Sequence, residues 1–375
     1  MKVLIITHNK EWGGSEHLWF ESIDSLIFNG FNVHVMCNKS MLSKNRLALL
    51  LNKCDLTLDI FYPKRKRILF RFIGKLFGLR ISLDKRIHHI EKTRPDFVLV
   101  NQGLNFDAFD LLGWLSNNSI RYGIISHAVD HRRVFNKSTA KYLRDGFSNS
   151  VFNGFVSDSN IRQTSRMIGM EIPNVRLFRN PVSLPNDTRN IPYPNTDQGF
   201  RLAFVGRLDF KVKGQDLLLG VLRQPKWCNR NLSVRFYGDG PDKQKLEEML
   251  LDFPQGKHVY GGFKSPFEIW SENHALVLTS HFEGLPIVIV EAGLCGRTCL
   301  VTNVSGNAEL LSDNVDGFVA KTDTADAIDE ALERAWVHRF EWLQMGELLR
   351  QKMINTIPKN PGQILADTIL EQVQC

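Results

Sequence analysis

The chain alternates short apolar runs with helical patterns, and it does so twice. The first run, "KVLIIT" (2–7), leads through a loop, "HNKEWGG" (8–14), into a helical stretch that stops at Gly30 before a second run, "NVHVMC" (32–37). Ser15 suits the N-cap of that helix, and Glu16 in its first turn complements the helix dipole. Further runs follow at "DFVLVN" (96–101), "YGIISH" (122–127) and "GFVSDS" (154–159). Strands that alternate with helices pack as a parallel sheet covered on both faces.

The stretch "LPNDTRNIPYPNTDQG" (184–199), rich in proline and turn formers, interrupts the series and reads as a domain boundary. A second series then runs through "RLAFVG" (201–206), "SVRFYG" (233–238), "ALVLTS" (275–280), "TCLVTN" (298–303) and "GFVA" (317–320). Between these runs lie the helical patterns "GQDLLLGVLR", "PDKQKLEEMLLDF", "PFEIWSEN" and "TADAIDEALERAWVHR". A chain of 375 residues exceeds what one core supports. The expected organisation is therefore two doubly wound α/β domains: residues 1–183, a linker over 184–200, and residues 201–345. A terminal segment, 346–375, has a helical pattern after Pro361.

No apolar run reaches the ~20 residues needed to cross a bilayer. The apolar start of the chain breaks into polar residues with no cleavage site and is expected to be a first strand rather than a secretory signal. The six cysteines include no C-x-x-C pair and are expected to be reduced thiols of a cytosolic protein. No cluster has metal-ligand spacing and no aspartate-x-aspartate triplet occurs, so no tightly held metal is expected. A net charge of +7 suits nucleic acid, an anionic membrane or phosphorylated ligands without choosing among them.

In open parallel sheets, ligands bind outside the carboxyl ends of the strands, and three stretches stand there. In "VGRLDFKVKGQDLL" (205–218), Arg207 and Lys213 flank a loop and Gly214 opens a helix; two cations beside free N–H groups suit a diphosphate, and a solvated basic loop is the alternative. "YGDGPDKQKLEEM" (237–249) is strand, turn and helix, and is good turn chemistry whatever the function. "HFEGLPIVIVEAG" (281–293) carries Glu283 and Glu291. Propensity alone makes "PIVIVEA" a strand, but "ALVLTS" immediately before it is already one, so a helix entered near Pro286 is expected. Eight residues of helix span roughly 12 Å, about the reach of a nucleotide sugar from ribose to hexose. The diphosphate would then face the backbone N–H groups of Gly284 and Leu285.

The two glutamates with seven residues between them, the upstream "GRLD…KG", the "GDGP" turn and the late "VSGNAELL…DNVDGFVA" together resemble a retaining GT-B glycosyltransferase of family 4, over most of the chain and most strongly from 201 to 320. The resemblance implies two Rossmann-like doubly wound domains facing across a cleft, with a terminal helix crossing back to the first. "GGSE" (13–16) resembles the glycine-rich loop that faces the donor phosphates, which assigns Gly13 and Gly14 to donor binding. "ISHAVD" (125–130) resembles the segment with an active-site histidine, His127, near the reacting carbon. Arg207 and Lys213 would neutralise the leaving diphosphate, Glu283 would bind the donor sugar, Glu291 the ribose, and Phe263 would lie near the nucleobase. The family usually needs no metal and no cofactor. The sequence departs from the pattern in two places: one extra residue between Arg207 and Lys213, and Ser305-Gly306 where paired glycines are usual.

"KRKRILFRFIGKLFGLR" (64–80) holds seven Lys or Arg and no acid. Its apolar residues recur at helical spacing, so a basic amphipathic helix on an anionic membrane is expected. The residues concerned are Lys64, Arg65, Lys66, Arg67, Arg71, Phe72, Lys75, Phe77 and Arg80; a core-facing helix with a solvated basic face is the alternative. By analogy, the chain is expected to sit peripherally on the inner face of a bacterial plasma membrane and to glycosylate a glycan or lipid-linked acceptor in lipopolysaccharide or surface-polysaccharide assembly, without a nucleic-acid partner. Another GT-B activity, an epimerase or a phosphorylase, and a membrane-surface binder without turnover remain as alternatives. A NAD dehydrogenase is disfavoured, because no G-x-G-x-x-G follows the first strand.

Overall fold

The computed structural model describes residues 1–9, 11–41, 43–59, 85–182, 184 and 191–374. The basic stretch from Lys64 to Arg80 lies outside them. The chain divides into two compact units, Met1–Pro181 with Lys359–Cys375, and Val182–Pro358.

Among the described residues the N-terminal unit has seven parallel strands: β1 (Lys2–Thr7), β2 (Asn32–Asn38), β3 (Asp55–Asp59), β4 (Phe97–Leu104), β5 (Tyr122–Ala128), β6 (Phe152–Phe155) and β7 (Val175–Leu177). Between them run α1 (Gly14–Phe28), α2 (Lys44–Lys53), α3 (Lys85–Thr93), α4 (Phe109–Asn117), α5 (Lys137–Ser148) and α6 (Asp158–Ile168). The order β3-β2-β1-β4-β5-β6-β7 reverses direction between β1 and β4, which is where a doubly wound sheet opens its ligand crevice.

Alternation along β1 builds the two cores. Val3 and Ile5 join one apolar cluster with Leu18, Trp19 and Ile23 of α1. Leu4 and Ile6 join the other with Leu111, Leu112 and Leu143 of α4 and α5. Period-2 side chains on a strand buried on both faces give this split.

Among the described residues the C-terminal unit has six parallel strands in the order β10-β9-β8-β11-β12-β13. They are β8 (Phe200–Val205), β9 (Leu232–Tyr237), β10 (His258–Gly262), β11 (Ala275–Leu278), β12 (Thr298–Thr302) and β13 (Gly317–Ala320). Its helices are α7 (Phe210–Lys213), α8 (Gln215–Leu222), α9 (Pro225–Cys228), α10 (Lys243–Leu250), α11 (Pro266–Glu272), α12 (Ile287–Leu294), α13 (Ala325–Val337) and α14 (Trp342–Thr356). Here the switch falls between β8 and β11. Arg297, buried at the start of β12, donates to the carbonyls of Cys295, Asn273 and Pro192, and so ties the proline-rich stretch to this unit.

The final helix, α15 (Pro361–Gln374), belongs to the N-terminal unit. Leu365, Ala366 and Ile369 complete the α1 side of its core. A Cβ on Gly362 would lie 2.6 Å from Cβ of Glu21, so only glycine allows α15 to approach α1 this closely.

Several expectations need correction. The segment from 346 onward is not one piece: α14 packs in the C-terminal unit, and the "PKNP" break sends only α15 to the other. Gly13, not Ser15, is the N-cap of α1; its N–H donates to Glu16 Oε2 at 2.9 Å, and Ser15 lies inside the helix. "GFVSDS" is strand only to Phe155, because Ser157 caps α6 and accepts from Asn160 N–H. "PIVIVEA" is helical, but Pro286 is its N-cap and Glu283 precedes the helix, so the separation of the glutamates is not a helical rise over its full length.

Candidate functional site

Two glycine-bearing turns interlock at the carboxyl ends of β8 and β9. Leu208 N–H donates to Asp239 O at 2.9 Å, and Asp242 N–H returns a bond to Leu208 O at 3.0 Å. Phe210 N–H donates to Asp242 Oδ2 at 2.9 Å, which starts the single turn of α7. A Cβ on Gly238 would collide with Gly206 O, and one on Gly240 with Leu208 O. The "GDGP" turn thus serves to hold the Arg207–Lys213 loop.

That loop is clamped again at its far end. Gly214 has φ +65 and joins α7 to α8, and a Cβ there would strike Thr279 O at the end of β11. His281 N–H donates to Val212 O at 2.8 Å, and Thr279 Oγ1 to Gly214 O at 2.7 Å. These bonds carry Lys213 to the "HFEG" loop, where Lys213 Nζ meets Glu283 Oε1 at 2.5 Å. Ser280 Oγ donates to the same oxygen at 2.7 Å. The structure therefore brings together Lys213 and Glu283, from the two strands that flank the switch point.

Arg207 shares the loop with Lys213, is half exposed, and has Nε 3.8 Å from Asp209 Oδ2. Gly284 and Leu285 follow Glu283 directly, and among the described residues no acceptor faces their N–H groups. Glu291 lies in the second turn of α12, where burial alone pushes its carboxyl up to about 7. Phe263, just past β10, is 93% exposed, an aromatic face open to stacking. Among the described residues, no group of three His, Cys, Asp or Glu is placed to hold a metal ion.

In the N-terminal unit, Gly13 and Gly14 open α1 above Glu16, which is wholly buried. Burial raises the Glu16 carboxyl above its ordinary range, against hydrogen bonds from Asn9, Ser15, Gly13 and Thr7. His127, near the end of β5, is 5% exposed. Its Nε2 pairs with Asn101 Oδ1 at 2.8 Å, Asn101 Nδ2 donates to Thr7 Oγ1 at 3.2 Å, and Thr7 Oγ1 to Glu16 Oε1 at 3.4 Å. The histidine and the glycine-rich loop are thus ends of one buried polar chain. Burial pushes the His127 imidazole down to about 3, so the ring is neutral.

Residues 189–355 match the family model described as glycosyl transferases group 1. Across the whole chain, the structure is similar to Anabaena HepE solved in complex with UDP, with a TM-score of 0.71 and 16% identity over 99% of this chain and 100% of that one. It is also similar to the lipopolysaccharide outer core galactosyltransferase WaaB, with a TM-score of 0.70 and 18% identity over the same shares. The chain has the GT-B fold. In sequence, it is 28% identical over 168 residues to the lipopolysaccharide 1,6-galactosyltransferase of Escherichia coli K12, which covers 43% of this chain and 46% of that protein. It spans about half the length of the curated relatives it matches.

Sequence reasoning gave no site role to Ser280, Ser305, Asn101 or the His281–Asp323 pair, whose Nδ1 and Oδ2 lie 2.7 Å apart, and placed Glu16 only as a first-turn partner of the helix dipole. Small polar residues acquire roles only from partners far along the chain. Ser305 had left a trace, as a serine in place of one of the paired glycines that the resemblance implies.

Proposed function

We propose that this chain is a retaining glycosyltransferase that moves a hexose-type sugar from a nucleotide-diphosphate donor to a glycan or lipid-linked acceptor in bacterial lipopolysaccharide or surface-polysaccharide assembly. The observation that carries the reading is the Lys213–Glu283 pair at the switch point of the C-terminal unit, followed by the N–H groups of Gly284 and Leu285, which have no acceptor among the described residues. An ammonium, a guanidinium and two amide donors match a diphosphate, and a carboxylate matches sugar hydroxyls. The UDP held by HepE and the lipopolysaccharide acceptor named for the E. coli relative support the donor and acceptor classes.

Transfer breaks the bond between the anomeric carbon and the diphosphate oxygen. The electron pair leaves with the diphosphate, and the acceptor hydroxyl bonds to the carbon and releases its proton. Lys213 and Arg207 compensate the negative charge that develops on the leaving group, where fixed charges contribute most. Glu283 orients the sugar, Glu291 accepts from the ribose, and Phe263 stacks on the base. His127, as a neutral ring, contributes a hydrogen bond rather than a charge. The reading needs no metal, so activity should survive a chelator.

The acceptor belongs to the N-terminal unit in this reading. The seven cations of residues 64–80 supply attraction to an anionic inner leaflet. No described helix is long and apolar enough to cross a membrane. The deciding experiment is a thermal-shift screen with UDP- and GDP-sugars, since a ligand that binds only the folded chain raises its melting temperature. A rise with one sugar nucleotide, followed by its hydrolysis or transfer, is expected. A flat response across the panel would end the proposal.

A further inference from the structure

We propose that Ser305 is a positioning residue for the donor sugar, acting through Glu283; this rests on the donor reading above. Ser305 has φ +48, in the left-handed region. Glycine enters that region without cost, whereas a residue with a Cβ is strained there. A serine at this turn therefore carries a penalty that a glycine would not, and its hydroxyl must supply something in return.

The hydroxyl accepts the Glu283 N–H at 3.3 Å. One residue on, Gly306 N–H donates to Gly284 O at 3.0 Å. The 305–306 turn thus holds the two-residue Glu283-Gly284 segment at both ends, accepting from its first N–H and donating to its last carbonyl. Below it, Thr302 Oγ1 donates to Ser280 O at 2.7 Å, and Ser280 Oγ donates to the Glu283 carboxylate at 2.7 Å. Glu283 is 8% exposed, so its carboxylate direction follows its backbone closely. Of these contacts, the Ser305 hydroxyl is the one a glycine could not make. It fixes the main chain from which the sugar-binding carboxylate projects, and it touches neither the cations nor Glu291.

This predicts a split between the two parts of the donor. Ser305→Gly relieves the backbone strain and removes the hydroxyl. Its melting temperature should equal or exceed that of the native chain. Its affinity for UDP or GDP should stay within about twofold, while its affinity for the corresponding sugar nucleotide should fall ~5-fold to ~10-fold, the worth of roughly one hydrogen bond. Ser305→Ala keeps the strain without the hydroxyl, so it should show the same loss for the sugar nucleotide and a lower melting temperature. Calorimetric titration of the native chain and both variants with UDP, UDP-glucose, UDP-galactose, GDP and GDP-mannose reads this directly. If Ser305→Gly keeps the native ratio of sugar-nucleotide to nucleoside-diphosphate affinity, the inference is wrong. If the variants lose both ligands equally, Ser305 only supports the loop and the inference is equally wrong. If the native chain binds none of the five, the donor reading itself fails, and this inference with it.

Discussion

Lys213 Nζ lies 2.5 Å from Glu283 Oε1, although the two residues are 70 positions apart. Each comes from a loop at the carboxyl end of a central strand, and each is largely withdrawn from water. Lys213→Ala removes a cation from the leaving group and leaves Glu283 without its partner. The first effect should lower kcat/KM by about 10²-fold or more. The second should cost roughly 1–3 kcal/mol of stability. Donor hydrolysis kinetics and urea unfolding measure the two separately, and unchanged kinetics would remove Lys213 from the phosphate site.

Gly214 is required by both its backbone and its surroundings. Its φ of +65 disfavours any other residue, and a Cβ would strike Thr279 O. The collision is with main chain, which cannot rotate away. Gly214→Ala should cost on the order of 2–4 kcal/mol and should weaken donor binding more than a change on the far face of α8. Denaturant unfolding with parallel nucleotide titration checks both.

Glu291 should give nucleotide binding a pH dependence near neutrality. Burial holds its carboxyl at about 7, and an ionised carboxylate is the better acceptor for ribose hydroxyls. Nucleotide affinity should therefore rise between about pH 6 and pH 8. Glu291→Gln should be weaker at pH 8 and flat across the range. A native affinity independent of pH would take Glu291 away from the ribose.

Much of the fold was legible because β1, β8 and β11 each carry an unbroken apolar run of four residues, Val3–Ile6, Leu202–Val205 and Ala275–Leu278, and buried parallel strands read that way. Other elements left no such trace. β7 has three residues, Val175–Leu177, of which two are exposed. β6 was displaced because Ser157-Asp158 is polar whether it ends a strand or caps a helix. At the site, charge and glycine pointed to Arg207, Lys213, Glu283 and Gly284, since those residue types have few uses at a strand end. The grips of Ser280 and Ser305 on Glu283 depend on distances across loops, and no spacing along the chain encodes them. The Ser15 cap failed for a related reason: a buried Glu16 reached back to Gly13 first.

Two buried histidines should make the C-terminal unit sensitive to acid. His258 Nδ1 accepts Val234 N–H at 3.1 Å, and His274 Nδ1 accepts Arg201 N–H at 2.9 Å. Burial pushes both imidazoles down to about 4 from an ordinary 6.5. The folded chain thus holds fewer protons than the unfolded chain between these values. Stability should be fully present above about pH 6.5 and lost as pH falls toward 4, by up to about 3 kcal/mol per histidine. Glu291 runs the other way: its raised value costs stability as pH climbs from 4.5 toward 7. The difference between native and His274→Asn unfolding curves isolates one histidine, and it should narrow as the pH is lowered.

The helix α15 should be needed by the N-terminal unit, to which it returns from the far end of the chain. Leu365, Ala366 and Ile369 are fully buried against the α1 side of the sheet, and burying a side chain of leucine or isoleucine size contributes roughly 1.5–3 kcal/mol. The crossing depends on Gly362, where a Cβ would lie 2.6 Å from Glu21 Cβ and 2.9 Å from Ser22 N. Gly362→Val should force α15 off α1, because the collision involves the main chain of α1 as well as a side-chain root. Hydrogen exchange should then rise in α1 and α15 together, while α12 and β11 of the C-terminal unit keep native protection. Equal loosening of both units would mean that α15 does not belong to the N-terminal core alone. An unchanged exchange pattern would mean that the α1–α15 crossing tolerates a side chain, and that the close approach at Gly362 is not what holds it.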